Sequence, residues 1–82
     1  MPKNVPSLKP RELVRILEKG GCTFYREGHG DHRLYVRYLL EKKRVVPIDT
    51  GASEFSPAYV LRIFRQFGFT DKEIDGLLVK PH

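Results

Sequence analysis

Gly28-His29-Gly30-Asp31-His32-Arg33-Leu34-Tyr35 delivers a histidine from a glycine-flanked turn to the first position of a run that reads as a strand. Glycine permits positive φ and a close approach of backbone to ligand. Histidine is the side chain whose ordinary pKa lies nearest neutral pH, which suits it to proton transfer. Two roles fit His32. Its ring nitrogen ties down the glycine turn, or it moves protons beside a bound phosphate. In the second case the reaction is cleavage of an RNA phosphodiester, which uses the substrate's own 2′-hydroxyl and needs only proton transfer and charge stabilisation from the protein. Arg33, Arg37 and the Lys42-Lys43-Arg44 run supply cations that could hold phosphates.

Other chemistries find less support. His29 and His32 lack a cysteine or a distant third ligand, so no zinc site is expected. Gly28-x-Gly30 precedes a strand, not a helix, and is no dinucleotide fingerprint. No glycine-rich loop followed by Lys-Ser or Lys-Thr occurs. Ser56 reads as a helix cap, and Ser53 has no base near it in sequence. Cys22 is the single cysteine; it opens an apolar run, where inert packing is expected.

The elements that must position His32 follow from periodicity. Met1 to Pro6 reads as a flexible lead-in, and residues 7–80 as a single domain. Ser7 is the expected N-cap of a helix with Pro10 in its first turn. Leu13, Val14, Ile16 and Leu17 form its apolar stripe, and Gly20-Gly21 ends it. Cys22–Glu27 reads as a first strand and His32–Leu40 as a second. Leu34, Val36, Tyr38 and Leu40 are expected to face inward, with Arg33 and Arg37 on the other side. Tyr35 and Leu39 interrupt that alternation. Glu41-Lys42-Lys43 is a charged hairpin tip before a third strand, Arg44–Asp49, in which Pro47 implies an edge or a bulge.

Thr50–Phe55 is a connecting loop. Ser56-Pro57 opens a helix whose Val60, Ile63, Phe64 and Phe67 recur at i, i+3, i+4 and i+7. Gly68 stops it. Thr70-Asp71-Lys72-Glu73 is a capping box that opens a short last helix carrying Ile74, Leu77 and Leu78. His82 is expected to fray. The order predicts an α+β fold, a three-stranded antiparallel sheet covered by helices on one face.

Composition narrows the function. Eighty-two residues with 40% hydrophobic side chains support one small core. No stretch approaches the roughly 18 apolar residues of a membrane span, and Met-Pro-Lys-Asn carries no apolar signal region. A cytoplasmic location is expected, without a membrane partner. Fifteen Lys and Arg against ten Asp and Glu give a net charge of +5. The excess is concentrated in residues 1–26, where Lys3, Lys9, Arg11, Arg15, Lys19 and Arg26 face only Glu12 and Glu18. A basic lobe suits a polyanion such as RNA.

The Gly30-Asp31-His32-Arg33-Leu34-Tyr35 block resembles the Gly-Ser-His motif of the HicA toxins, small mRNA interferases of type II toxin–antitoxin systems. Val45-Val46-Pro47 follows in the same order. Leu61-Arg62-Ile63-Phe64-Arg65-Gln66-Phe67-Gly68 is similar to the family's Leu-Arg-x-x-Leu-Arg-Gln-x-Gly run. The resemblance spans about Ser7 to Leu78. It implies a double-stranded-RNA-binding-domain-like αβββα fold, ribosome-independent mRNA cleavage and neutralisation by a HicB-like antitoxin. It places the family's catalytic histidine on His32. Two positions depart from the pattern: Asp31 stands where serine is usual, and Asp49 where a histidine often follows the proline by two places.

The reading is a metal-independent endoribonuclease with His32 as acid/base and no cofactor. Its expected RNA-binding residues are Gly30, which also shapes the turn, Arg33, Arg37, Lys42 and Lys43. The alternative is a non-catalytic RNA-binding or protein-interaction module on the same fold, favoured by the basic first helix and the two acidic substitutions.

Overall fold

The structure is a computed structural model that describes Pro2 and residues 4–79. Part of the expected lead-in and the expectation for His82 lie outside the described residues. The elements run α1 (Pro10–Lys19), β1 (Thr23–Glu27), β2 (His32–Tyr38), β3 (Lys43–Asp49), α2 (Pro57–Gln66) and α3 (Asp71–Leu78). The strands form one antiparallel sheet in the order β1-β2-β3, so β2 is central. This is the α+β, αβββα arrangement expected from the order of elements. No described helix is long and apolar enough to cross a membrane.

Each helix starts where its side chains can satisfy the first free N–H groups. The Ser56 hydroxyl accepts from the Tyr59 N–H at 3.2 Å, with Pro57 in the first helical position. Thr70 and Glu73 form the reciprocal capping box, at 2.8 and 3.2 Å. The first helix departs from expectation, because its N-cap is Lys9, not Ser7. The preceding segment is held extended by a two-bond bridge between Leu8 and Phe55. The Glu12 carboxylate then accepts the Lys9 N–H at 2.9 Å.

One cluster holds the helices to the sheet. Leu13 and Leu17 of α1, Val60, Ile63 and Phe64 of α2 and Ile74 of α3 are buried against Tyr35, Val46 and Ile48. The sheet residues in it have odd numbers in β2 and even numbers in β3, and Tyr35 pairs with Val46 across the strands. Alternation therefore puts Arg33 and Arg37 on the helix side and His32, Leu34, Val36 and Tyr38 on the open side. This inverts the expected facing of β2. The strand also ends at Tyr38, because Leu39 and Lys42 exchange backbone hydrogen bonds that close the turn.

Arg37 explains the inversion. Its Nη1 donates to the Phe67 carbonyl at 3.0 Å, and its Nη2 meets the Glu73 carboxylate at 3.2 Å. Its guanidinium lies 3.9 Å from the centre of the Phe69 ring. Arg44, its register partner, approaches the Gln66 carbonyl at 3.5 Å. Two cations thus meet the carbonyl end of α2, where the helix dipole favours them. The long stem and planar fork let arginine sit on a core face while its charge is satisfied. The Thr70 backbone N–H, together with Arg37, holds the Glu73 carboxyl below its ordinary range.

Arg37 acts here as a strut. Arg37→Ala is expected to lower stability by about 1.5–3 kcal/mol, the usual worth of hydrogen bonds made by a charged group. Arg37→Lys, which keeps the charge without the fork, recovers only part of it. A urea melt reads both values, and a loss under about 0.5 kcal/mol for Arg37→Ala would contradict the strut.

Candidate active site

His32 begins β2, and the turn before it is fastened at several points. Gly30 has φ +58°, a left-handed conformation that side chains rarely adopt. Gly28 is packed so closely that a Cβ there would lie 2.7 Å from a Leu34 methyl carbon. The Gly28 N–H donates to the His32 carbonyl at 2.9 Å, and the His32 N–H to the His29 carbonyl at 3.0 Å.

The same His29 carbonyl accepts from His32 Nδ1 at 3.2 Å. That bond selects the tautomer with the proton on Nδ1 and leaves Nε2 as the exchangeable position. The ring is exposed at the mouth of an open cleft of about 500 Å³. Arg26, Glu27, His29, Leu34 and Pro47 line it with His32. The site therefore offers the oriented His32 imidazole, a second imidazole on His29, the Arg26 guanidinium, the Glu27 carboxylate and an apolar floor.

Asp31 and Asp49 belong to the strap that closes this end of the sheet. The Asp31 carbonyl accepts from the Thr50 N–H at 2.9 Å and from the Thr50 hydroxyl at 2.6 Å. Its carboxylate lies against Gly51, where a Cβ would come within 2.7 Å of the carboxyl carbon. Asp49 is the register partner of His32, and its Oδ1 accepts the Gly51 N–H at 3.0 Å. Both carboxylates thus pack on the β3–α2 turn instead of on the His32 ring.

The other expected site residues are dispersed. Gly30 is in the turn beside His32. Arg33 follows His32 but points to the helix side, where it pairs with Glu27 at 3.5 Å between exposed side chains. There it lines a second open groove, of about 980 Å³, with Lys9 at the N-cap of α1 and Arg11, Glu12, Arg15 and Glu18 within that helix. Arg37 is engaged with α2 and α3. Lys42 and Lys43 lie at the opposite end of the sheet, since Lys43 pairs with Tyr38. Lys43 donates to the Tyr25 hydroxyl at 3.0 Å, a bond that lowers the tyrosine pKa and raises that of the lysine. Cys22 is buried, which pushes its thiol up to about 11 and suits a packing role.

Arg26 was not among the expected residues. The pairing of β1 with β2 shifts register between Phe24 and Arg26, a β-bulge that turns Arg26 towards Leu34 and the His32 cleft. Strict alternation carries no sign of it.

No match was found among curated proteins or among solved structures. A family model described as the HicA toxin of bacterial toxin–antitoxin systems matches residues 10–69, from the first helical residue to Phe69 in the core. That span holds the glycine turn, His32, all three strands and α2. The chain belongs to the HicA toxin family.

Proposed function

We propose that the chain is an endoribonuclease that cleaves mRNA with His32 as its acid/base and is neutralised by a HicB-like antitoxin. Membership of a toxin–antitoxin family implies an antitoxin partner; its type is part of the proposal. The observation that carries the reading is the His32 ring, exposed in the cleft and oriented through Nδ1 by a backbone carbonyl. In the reaction the 2′-oxygen bonds to phosphorus and the P–O5′ bond breaks. One proton leaves the 2′-hydroxyl and one is taken up by the 5′-oxygen. His32 Nε2 serves one of these transfers, and Arg26 offsets charge on the phosphate. The expected RNA contacts are Gly30, Arg33, Lys42 and Lys43. Arg37 is omitted, because its guanidinium is engaged within the fold. Such a substrate places the protein in the cytoplasm.

The second reading, a non-catalytic RNA-binding module on a double-stranded-RNA-binding-like fold, is favoured by the basic groove of Lys9, Arg11, Arg15 and Arg33. Incubation of a defined mRNA with the chain in excess chelator separates the two. The proposal expects cleavage to persist in chelator and to weaken steeply between about 50 and 200 mM salt, as phosphate contacts require. Salt-dependent binding without cleavage, with or without divalent metal, would favour the module.

A further inference from the structure

Among the described residues the helices cover one face of the sheet and leave the other open. On that face the register aligns His32, Leu34, Val36 and Tyr38 of β2 beside Lys43, Val45 and Pro47 of β3. Thr23 and Tyr25 of β1 complete it, and the bulge adds Arg26. Two large aromatic rings stand on this surface, Tyr25 at 39% and Tyr38 at 65% exposure. Both neighbour Lys43, which pairs with Tyr38 in register and holds Tyr25 through its hydroxyl. The Lys43 ammonium lies 4.8 Å from the centre of the Tyr25 ring. The acidic groups at this face lie at its His32 end: Asp49, whose Oδ1 accepts the Gly51 N–H, and Glu27, which lines the His32 cleft and pairs with Arg33.

Exposed rings interleaved with cations on a pleated surface match the chemistry of unpaired nucleotides. Bases stack on aromatic faces without regard to sequence, and flanking cations neutralise the phosphates. Tyr38 stands six residues along β2 from His32, about 20 Å at strand spacing. An extended single strand with its bases splayed onto aromatic rings spans that length in a few nucleotides. A protein partner would equally cover apolar surface, but the one-signed charge beside both rings favours a polyanion.

We propose that the open sheet face is a track for single-stranded RNA, with bases stacked on Tyr25 and Tyr38, phosphates met by Lys43 and Arg26, and the strand led towards His32. The catalytic end of this track rests on the nuclease reading above; the binding face does not. Lys43 keeps a positive charge beside the stacked base. Neither tyrosine is buried, so their replacement leaves the core intact.

The experiment measures anisotropy of a labelled single-stranded RNA 12-mer, with a 2′-deoxy backbone version to prevent cleavage, at low salt. Tyr25→Ala and Tyr38→Ala are each expected to weaken binding about tenfold, within the range of a lost base–aromatic stack. Tyr25→Phe and Tyr38→Phe retain most of it, because the ring face and not the hydroxyl makes the stack. Binding of a blunt duplex of the same sequence changes far less. Quenching of tyrosine fluorescence by the 12-mer in the unaltered chain gives a reading independent of any variant. Single-strand affinity unchanged in both alanine variants, or absence of quenching, overturns the track. So does loss of antitoxin binding in these variants with RNA binding intact, which assigns the face to protein. If the tyrosine effects appear but no RNA is ever cut, the track stands and the nuclease reading falls.

Discussion

Phe64→Ala is expected to destabilise the domain by about 3–5 kcal/mol, the range for emptying a fully packed aromatic site. Phe64 is completely buried on α2, and its ring meets Phe69 edge-on at 5.8 Å and 80°. It belongs to the same buried cluster as Leu13, Leu17, Ile48 and Ile74, which draws on all three helices and on the sheet. Stabilities near 0.05–0.15 kcal/mol per residue put a chain of this size at about 4–12 kcal/mol in total. The substitution therefore removes a large part of the folding free energy. Ile63→Val, at about 0.5–1.5 kcal/mol, stays within range of a urea melt and tests the same face. A loss below about 1 kcal/mol for Phe64→Ala would contradict the packing described.

The face of α2 was readable because four apolar residues recur at helical spacing and all four are buried. Ser56, Thr70 and Glu73 were equally plain, since capping is local chemistry that needs no knowledge of the fold. The facing of β2 was not. Alternation weighs Arg37 as a surface residue, yet its charge is met by a helix end, a carboxylate and a ring from thirty or more residues away. Tyr35 and Leu39, which interrupt the expected pattern, were the available signal. Tyr35 is buried in the core and Leu39 half-buried. Ser7 loses the cap position to Lys9 for a similar reason, because the Leu8–Phe55 bridge is a long-range pairing.

The site divides the same way. A glycine turn delivering His32 to a strand end is local, and the structure has that geometry. The placement of Asp31 against Gly51 depends on the β3–α2 turn and could not be read from its neighbours. Lys42 and Lys43 fall near His32 in a linear reading of the basic residues. The antiparallel register carries them to the other end of the sheet. Arg26 reaches the cleft only through a bulge.

His32→Ala is expected to abolish mRNA cleavage while leaving the fold and RNA binding nearly unchanged. The side chain is exposed, and its Nδ1 bonds a carbonyl that the turn already holds through the His32 N–H. Removing it takes away a proton carrier, which contributes roughly 10²–10⁴-fold in rate. His29→Ala should be mild, since His29 orients the ring through its backbone and not through its imidazole. Asp31→Ser is expected to preserve or raise activity, because the Asp31 carboxylate lies on Gly51 and not on the ring.

The most direct test is the rate at which one defined mRNA is cut at neutral pH in chelator by the unaltered chain and by His32→Ala. Circular dichroism and RNA affinity are measured on the same samples. The unaltered chain is expected to cleave, and the variant, folded and still binding, to lose at least about a hundredfold in rate. A folded His32→Ala protein that cuts as fast as the unaltered chain would contradict it.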